Sequence, residues 1–325
     1  MSNPFVLSLL LLLSLLVLVV ASDFFTNAAE KIGLSMGLSP FIVGVTIVSI
    51  GTSLPELMSS IIAVLQGSPE VVAGNVVGSN IANIFLIIGA AGVISAKTIR
   101  INYDLVSVDL PLFVGSAFLL ALTAWDNLFT PGEAWLFVVG YIMYLFYTVK
   151  GSESNQQEDN SEGEQHNSTA TANRDTTFVL RQGLIVILSS IFIFIGARFT
   201  IDSLIGISKA LNIGVEIIAI TAVALGTSLP ELVVTINASL KGKAEIAVGN
   251  VLGSNIFNVF MVMGIPGLVG KLTIPETILH GGIPMLIAGT LLLFFTTQDK
   301  KLTIWEGWLF LMFYVWFIGR TFELL

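Results

Sequence analysis

One polar string occurs twice in this apolar chain, and no other feature restricts its fold as much. GTSLPE at residues 51–56 returns at residues 226–231, which is an offset of 175. At the same offset GNVVGSNI at 74–81 returns as GNVLGSNI at 249–256, and an Asn two residues further on is also repeated. The chain therefore contains two copies of one unit, and we expect the two copies to face a common site.

The rest of the sequence is typical of a polytopic membrane protein. Hydrophobic residues make up 54% of the chain, charged residues make up 11%, and the mean hydropathy is +0.90. Apolar stretches of about 18 residues or more are candidate membrane-spanning helices. We predict an all-α fold with ten such spans, at about residues 4–21, 40–66, 71–95, 105–124, 131–149, 177–204, 214–240, 245–270, 279–297 and 303–322.

A polar segment divides the spans into two groups of five. An odd number of spans places the two copies in opposite orientations, as in the inverted repeats of secondary transporters. We therefore expect a first five-helix repeat at 1–149 and a second at 176–325. The linker at 150–175 is acidic and rich in Ser, Asn, Gln and Glu, which predicts disorder. Because much of the net charge of −8 lies in this linker and no basic patch exists, nucleic acid is not an expected partner.

The positively charged residues predict an orientation in the cell membrane. Cytoplasmic loops carry an excess of Lys and Arg. With both termini outside, ten basic residues lie on the inner side, and these are Lys31, Lys97, Arg100, Lys150, Arg174, Arg181, Lys241, Lys243, Lys300 and Lys301. Four lie on the outer side, namely Arg198, Lys209, Lys271 and Arg320. This distribution predicts external termini and a cytoplasmic 150–175 linker.

The repeated strings place one glutamate of each copy, Glu56 and Glu231, near the middle of the bilayer. A carboxylate there is costly unless it is paired or hydrated, so it is a functional candidate. Gly and Pro beside each glutamate predict helices that are broken at the membrane midplane, with backbone carbonyls freed as ligands. The strings add Thr, Ser and Asn oxygens, the chain has no Cys, and both histidines fall in predicted loops. Such an oxygen set suits Ca²⁺ and Na⁺ rather than Zn²⁺ or Cu²⁺.

Structural roles are alternatives for the same residues. Ser53 and Glu56 have the spacing of a helix-capping box, with Ser53 as the N-cap. Asn83 and Asn258 have the character of residues that hydrogen-bond between packed membrane helices. The repeated glycines have the character of packing residues, and these are Gly74, Gly78, Gly249 and Gly253.

The paired strings resemble the alpha repeats of the sodium/calcium exchangers, within the cation/calcium antiporter superfamily. The resemblance implies an antiporter, not an enzyme, that exchanges several Na⁺ for one Ca²⁺ through a central site. It implies no cofactor and no obligate protein partner besides the bilayer. It also implies that the long first and sixth spans slide across the core to switch access.

The resemblance assigns roles to twelve residues. Glu56 and Glu231 are the carboxylates that Ca²⁺ and Na⁺ share. The backbone carbonyls of Thr52 and Thr227 are Ca²⁺ ligands. The remaining positions supply hydroxyls, amides or backbone groups around the ions, and they are Ser53, Ser228, Ser79, Ser254, Asn83, Asn258, Ser49 and Ala224.

Position 258 departs from part of the family. Potassium-dependent relatives carry Asp there, whereas this chain has Asn. Two central carboxylates therefore remain, and we expect exchange to need no K⁺.

Three other functions are consistent with parts of the sequence. A Ca²⁺/H⁺ antiporter is the nearest alternative, because protons can also discharge a buried pair of glutamates. A cation channel could use the same acidic centre, although inverted repeats favour alternating access. An intramembrane hydrolase would need an asymmetric acid–base pair or a metal site, which the two symmetric glutamates do not resemble.

Overall fold

The protein is a bundle of helices. The computed structural model describes residues 4–95, 98–101, 103–104, 109–159, 176–210 and 228–321. The helices of the first half are α1 (Pro4–Ser35), α2 (Pro40–Val43), α3 (Ser49–Leu65), α4 (Glu70–Ile81), α5 (Ile88–Ile94), α6 (Asp109–Thr123) and α7 (Pro131–Asp159). Those of the second half are α8 (Thr176–Ala210), α9 (Leu229–Leu240), α10 (Ala244–Phe257), α11 (Met263–Val269), α12 (Ile283–Thr296) and α13 (Ile304–Thr321).

Short π-helical turns join several of these helices into longer runs. They cover Gly44–Val48, Ala82–Ile87, Asn258–Val262 and Ile278–Gly282. Within the described part of the chain, six helical runs are long and apolar enough to cross a membrane: Phe5–Ser35, Pro40–Leu65, Glu70–Ile94, Thr177–Thr200, Ala244–Val269 and Ile278–Thr296. Helices α6 and α9 are apolar but shorter.

Burial separates a central group of helices from a peripheral pair. In the most apolar window of each run, 94% of the residues are buried in Ala244–Val269, against 22% in Phe5–Ser35 and 17% in Thr177–Thr200. The two peripheral runs, α1 and α8, pack along each other. The described residues of the repeated strings therefore belong to the central helices, while α1 and α8 leave most of their apolar surface exposed.

The predicted break at the first repeated string is wrong. Helix α3 continues through Gly51 and Glu56, with Pro55 inside it. Proline removes only the helix hydrogen bond to the carbonyl of Gly51. Unwinding the turn would free several polar groups at membrane depth, which is far more costly. The second string also lies in continuous helix in both repeats, in α4 and in α10.

Two further expectations differ from the structure. Helix α7 continues to Asp159, so the first part of the predicted 150–175 linker is helical, and residues 160–175 lie outside the described residues. His280 is not in a loop but in the π turn that precedes α12, where its exposed ring contacts Glu276 at 2.8 Å. The two residues are four positions apart, which places them on one face of a helix.

Two short strand pairs connect the halves of the chain. Strand β1 (Ile99–Arg100) pairs antiparallel with β4 (Lys301–Leu302), and β2 (Leu128–Phe129) pairs antiparallel with β3 (Leu272–Thr273). Each pair takes one strand from each half, so the loops of the two halves meet at the ends of the bundle.

Candidate ion-binding site

The two repeated glutamates lie in the interior of the bundle and face each other. Glu56 is in the middle of α3, and Glu231 is in the first turn of α9. Their exposed fractions are 1% and 0%, and they are close enough for their charges to repel. None of the ion pairs of the described residues includes either glutamate. Two buried carboxylates therefore share one site in which the described residues provide no basic side chain as an ion-pair partner.

Hydrogen bonding at the glutamates is incomplete and unequal. The Ser53 hydroxyl donates to Oε1 of Glu231 at 2.9 Å. Among the described residues, no hydrogen-bond partner is found for four buried atoms: Oε2 of Glu231, both carboxylate oxygens of Glu56 and the hydroxyl of Ser228. Because buried polar atoms are nearly always paired, several orphan oxygens in one place indicate a position for a ligand.

The two repeated asparagines at 83 and 258 differ in their contacts. Asn83 is fully buried, and neither its Nδ2 nor its Oδ1 has a hydrogen-bond partner. Asn258 donates from Nδ2 to Oδ1 of Asn80 at 3.1 Å, while its own Oδ1 has no partner. The interhelical role therefore applies to Asn258 but not to Asn83, and each side chain keeps an amide oxygen available.

A network of threonine and asparagine side chains joins the two repeats beside the glutamates. The Thr52 hydroxyl donates to Oδ1 of Asn250 at 3.2 Å and lies 3.5 Å from the Ser254 hydroxyl. Asn250 in turn donates from Nδ2 to the Thr235 hydroxyl at 2.9 Å. Asn75 makes the equivalent contact in the first repeat, with Ser60 at 3.0 Å.

Three further asparagines, Asn75, Asn80 and Asn250, are candidate site residues that the prediction from the sequence did not include. Asn75 also donates to the backbone carbonyl of Glu56 at 3.2 Å, so it holds the turn that carries the glutamate. Asn80 donates to the carbonyl of Asn255 at 3.1 Å and thereby links α4 to α10. Their presence in the repeated strings is the signal from which they could have been found.

Of the other predicted site residues, three serines lie in the interior and two positions are not described. Ser49, Ser79 and Ser254 are buried. The Ser49 hydroxyl donates to the carbonyl of Val45 and, at 3.3 Å, to that of Thr46, as expected for a serine within a helix. Thr227 and Ala224 lie outside the described residues.

The capping-box alternative is not supported at either copy. Helix α3 begins at Ser49, so Ser53 is inside the helix and its hydroxyl contacts Glu231 instead. Ser228 does stand at the N-cap position of α9, but its side chain makes no capping hydrogen bond. Neither serine hydroxyl therefore makes a capping hydrogen bond to a backbone N–H group.

Glycines allow α10 to approach the first repeat closely, as the packing alternative predicts for Gly249 and Gly253. A Cβ on Gly249 would lie 2.6 Å from the carbonyl oxygen of Phe41. A Cβ on Gly253 would collide with the carbonyl of Val45 and lie 2.6 Å from the Ser49 hydroxyl oxygen. The close contact sets Asn250 and Ser254 against α3.

The donor set around the glutamates is suited to a hard cation. It contains two carboxylates, hydroxyl groups and amide oxygens, and no group of three or more His, Cys, Asp or Glu residues occurs in the described part of the chain. Ca²⁺ and Na⁺ prefer oxygen ligands of these types. A cation between the carboxylates would offset their repulsion and occupy the orphan oxygens.

Comparison with known proteins gives a consistent result. The sequence profile of a family described as "Sodium/calcium exchanger protein" matches residues 6–150 and 182–322. Sodium/calcium exchanger MaX1 of Methanosarcina acetivorans is 36% identical, over 95% of this chain and 97% of that protein. Inner membrane protein YrbG of Escherichia coli is 31% identical, over 80% of this chain and 79% of that protein.

A solved structure of the sodium-calcium exchanger NCX_Mj has a similar fold. The two structures align with a TM-score of 0.81 and 28% sequence identity, over 98% of this chain and 100% of that one. The likeness therefore extends over both halves and is not confined to the repeated strings.

Proposed function

Because the chain belongs to the sodium/calcium exchanger family, a family of multi-pass membrane transporters, we propose that it is an antiporter that moves several Na⁺ against one Ca²⁺ by alternating access. It is a transporter rather than an enzyme, and it needs no cofactor. The proposal rests on the pair of buried glutamates, for which the described residues provide no basic partner. Two carboxylates neutralise one Ca²⁺, and when Ca²⁺ leaves, other cations must replace it.

We further propose how the site residues hold the ions. Glu56 and Glu231 bind Ca²⁺ and Na⁺ in turn, and the backbone carbonyls of Thr52 and Thr227 complete the Ca²⁺ position. The other proposed ligands line the flanking Na⁺ positions and the centre of the site, and they are Ser49, Ser53, Ser79, Asn83, Ala224, Ser228, Ser254 and Asn258. The orphan oxygens of Glu56, Asn83 and Ser228 support these assignments.

The proposed architecture is ten helices in two inverted repeats, 1–149 and 176–325, in the cell membrane. Both termini are outside, and the 150–175 linker is cytoplasmic. The strand pairs agree with this topology: β1 and β4 fall on the predicted cytoplasmic side, and β2 and β3 fall on the predicted outer side. An uneven number of spans between two paired strands would place them on opposite sides of the membrane.

Exchange of this kind is expected to be electrogenic. Two fixed negative charges balance Ca²⁺ but not three or more Na⁺, so the two loaded forms differ in net charge. One unbalanced charge is worth about 2.3 kcal/mol per 100 mV of membrane potential. In proteoliposomes loaded with Na⁺, an inside-positive potential should accelerate ⁴⁵Ca²⁺ uptake, because net positive charge leaves with Na⁺. Uptake that is indifferent to the imposed potential would contradict this expectation.

The coupling ion distinguishes this proposal from Ca²⁺/H⁺ exchange. The same vesicles can be loaded with Na⁺, with K⁺ or with acid before ⁴⁵Ca²⁺ is added outside. We expect uptake only from Na⁺-loaded vesicles. Uptake that acid loading drives without Na⁺ would assign the protein to proton-coupled exchange, and Ca²⁺ flux with no gradient of either ion would indicate a channel.

Potassium should have no direct part in transport. The central site has Asn at 83 and 258, so it lacks a third carboxylate for another cation. With the membrane potential clamped at zero, replacing K⁺ by choline on both sides should leave the rate of Na⁺-driven ⁴⁵Ca²⁺ uptake unchanged. A rate that falls to background without K⁺ would show that K⁺ is a transported substrate.

Access switching by sliding of α1 and α8 would have to break polar contacts at one end of α1. Lys241 pairs with Asp23, Lys243 contacts Glu30 at 2.6 Å, and Asn237 donates to the Ser22 hydroxyl at 2.9 Å. These contacts fix α1 to the last turns of α9 and to the turn between α9 and α10.

A covalent link at that position should therefore stop exchange. The chain has no cysteine, so Asp23→Cys with Lys241→Cys gives a single pair for a short thiol crosslinker. We expect crosslinking to lower Ca²⁺ uptake to about the background level. With a cleavable crosslinker, reduction should restore uptake. The single variant Asp23→Cys, treated alike, is the control. Full exchange by the crosslinked protein would exclude sliding of α1 at this end.

A further inference from the structure

A third buried acidic residue of the described chain, Asp109, lies outside the central site. Asp109 opens α6, is 0% exposed, and accepts a hydrogen bond through Oδ1 from the Tyr144 hydroxyl of α7 at 3.0 Å. Its Oδ2 is buried and has no hydrogen-bond partner. The hydroxyls of Tyr141 and Thr148, also on α7, are buried without partners as well.

No basic residue among those described compensates Asp109. None of their ion pairs includes it, and the nearby Lys300 pairs with Asp104 at 3.3 Å. Besides α7, the elements packed on α6 are α10, α12 and the π turn at 258–262. Their one titratable side chain is Glu245, and Tyr103 and Asp104 precede α6 in the chain.

A bare carboxylate in such a position would be strongly destabilising, so it must take up a positive charge. Na⁺ or Ca²⁺ would need about six oxygen ligands. Asp109 has one hydrogen-bonded partner, Tyr144, and is closed to solvent. A proton needs no further ligand, because it converts the carboxylate into a neutral acid.

The surroundings connect Asp109 to the helical run that carries Thr52 and Glu56. The ring of Tyr103, six residues before Asp109 in the chain, stacks on Phe41 with centroids 4.4 Å apart. Phe41 is in α2, at the start of the Pro40–Leu65 run. We propose that Asp109 is a proton-binding site, separate from the two glutamates, through which pH at this end of the bundle acts on that run.

Infrared difference spectroscopy tests the site directly. In the Glu56→Gln/Glu231→Gln background we expect the C=O band of one buried protonated carboxyl at acidic pH, and this band should disappear as the pH is raised. Asp109→Asn should abolish it, and Tyr144→Phe should shift it to higher frequency by removing the hydrogen bond. Asp104→Asn, which changes a half-exposed carboxylate, is the control and should leave it unchanged. A band that survives Asp109→Asn, or that Na⁺ abolishes at constant pH, would overturn the proposal.

The link to transport has its own test in proteins with intact glutamates. At a pH where the infrared band of wild-type Asp109 has disappeared, we expect the rate of Ca²⁺ uptake by Asp109→Asn to exceed that of wild type. Parallel pH profiles would overturn the link. The infrared result is independent of transport, so it distinguishes failure of this site from failure of the exchange proposal.

Discussion

Replacing either repeated glutamate by glutamine should abolish exchange. Glu56→Gln and Glu231→Gln each keep the size of the side chain but leave Ca²⁺ with one carboxylate instead of two. An uncompensated buried charge costs about 3–5 kcal/mol, which corresponds to an affinity loss of about 150- to 5,000-fold. We therefore expect ⁴⁵Ca²⁺ uptake by Na⁺-loaded proteoliposomes to fall to background in both variants.

The matched control for this pair is Glu70→Gln, which changes an exposed glutamate in the first turn of α4. It should exchange at the wild-type rate. Both central variants should also be recovered as folded protein, because glutamine relieves the repulsion between two buried carboxylates. Uptake near the wild-type rate in either central variant would mean that its glutamate has only a structural role.

After the glutamate substitutions, we expect Gly253→Ala, which adds one methyl group, to have the largest effect on stability and exchange. In Gly253→Ala the new Cβ would collide with the carbonyl of Val45 and lie 2.7 Å from the Val45 Cα. Because these are backbone atoms of the packed π turn that precedes α3, neither can rotate away, and α10 must move away from this turn and from α3. Overpacking of this kind costs about 1–3 kcal/mol. It would also displace Asn250 and Ser254 from Thr52.

Thermal unfolding and uptake should both report this change. We expect Gly253→Ala to unfold at a lower temperature and to lose most of its Na⁺-driven Ca²⁺ uptake. Gly115→Ala is the control, since a Cβ on Gly115 of α6 meets no atom within 4 Å. It should match or exceed wild type in stability, because alanine favours helix. Equal unfolding temperatures for Gly253→Ala and wild type would show that the contact between α10 and α3 is not tight in solution.

Much of the site could be predicted because its chemistry is repeated in the sequence. A glutamate within a long apolar stretch is costly, so its recurrence at residue 231 indicated a shared site before any fold was known. The interior positions of Ser53, Asn83 and Ser254 followed from the same strings. Of the four glycines interpreted as packing residues, Gly249 and Gly253 lie in close contact with the first repeat, whereas a Cβ on Gly74 or Gly78 would meet no atom closer than 4.0 Å.

Other features depend on tertiary contacts that a repeated string does not specify. The continuous path of α3 past Pro55 follows from the cost of freeing backbone groups in lipid, which outweighs the local preference of Gly and Pro. The two copies are also unequal. The Ser53 hydroxyl donates to Glu231, whereas the Ser228 hydroxyl has no hydrogen-bond partner among the described residues. Identical strings cannot encode that difference. Asp109 was missed because it stands alone, and only the fold brings Tyr144 to it.

Binding of Ca²⁺ to the purified protein, and its displacement by Na⁺, tests the central claim most directly. We expect equilibrium titration with ⁴⁵Ca²⁺ to give one Ca²⁺ per chain, which Na⁺ displaces with a Hill coefficient above one because several Na⁺ replace it. Glu56→Gln and Glu231→Gln should each abolish this binding. Ca²⁺ that remains bound in both variants, or that Na⁺ at saturating concentration does not displace, would contradict a single site shared by the two ions.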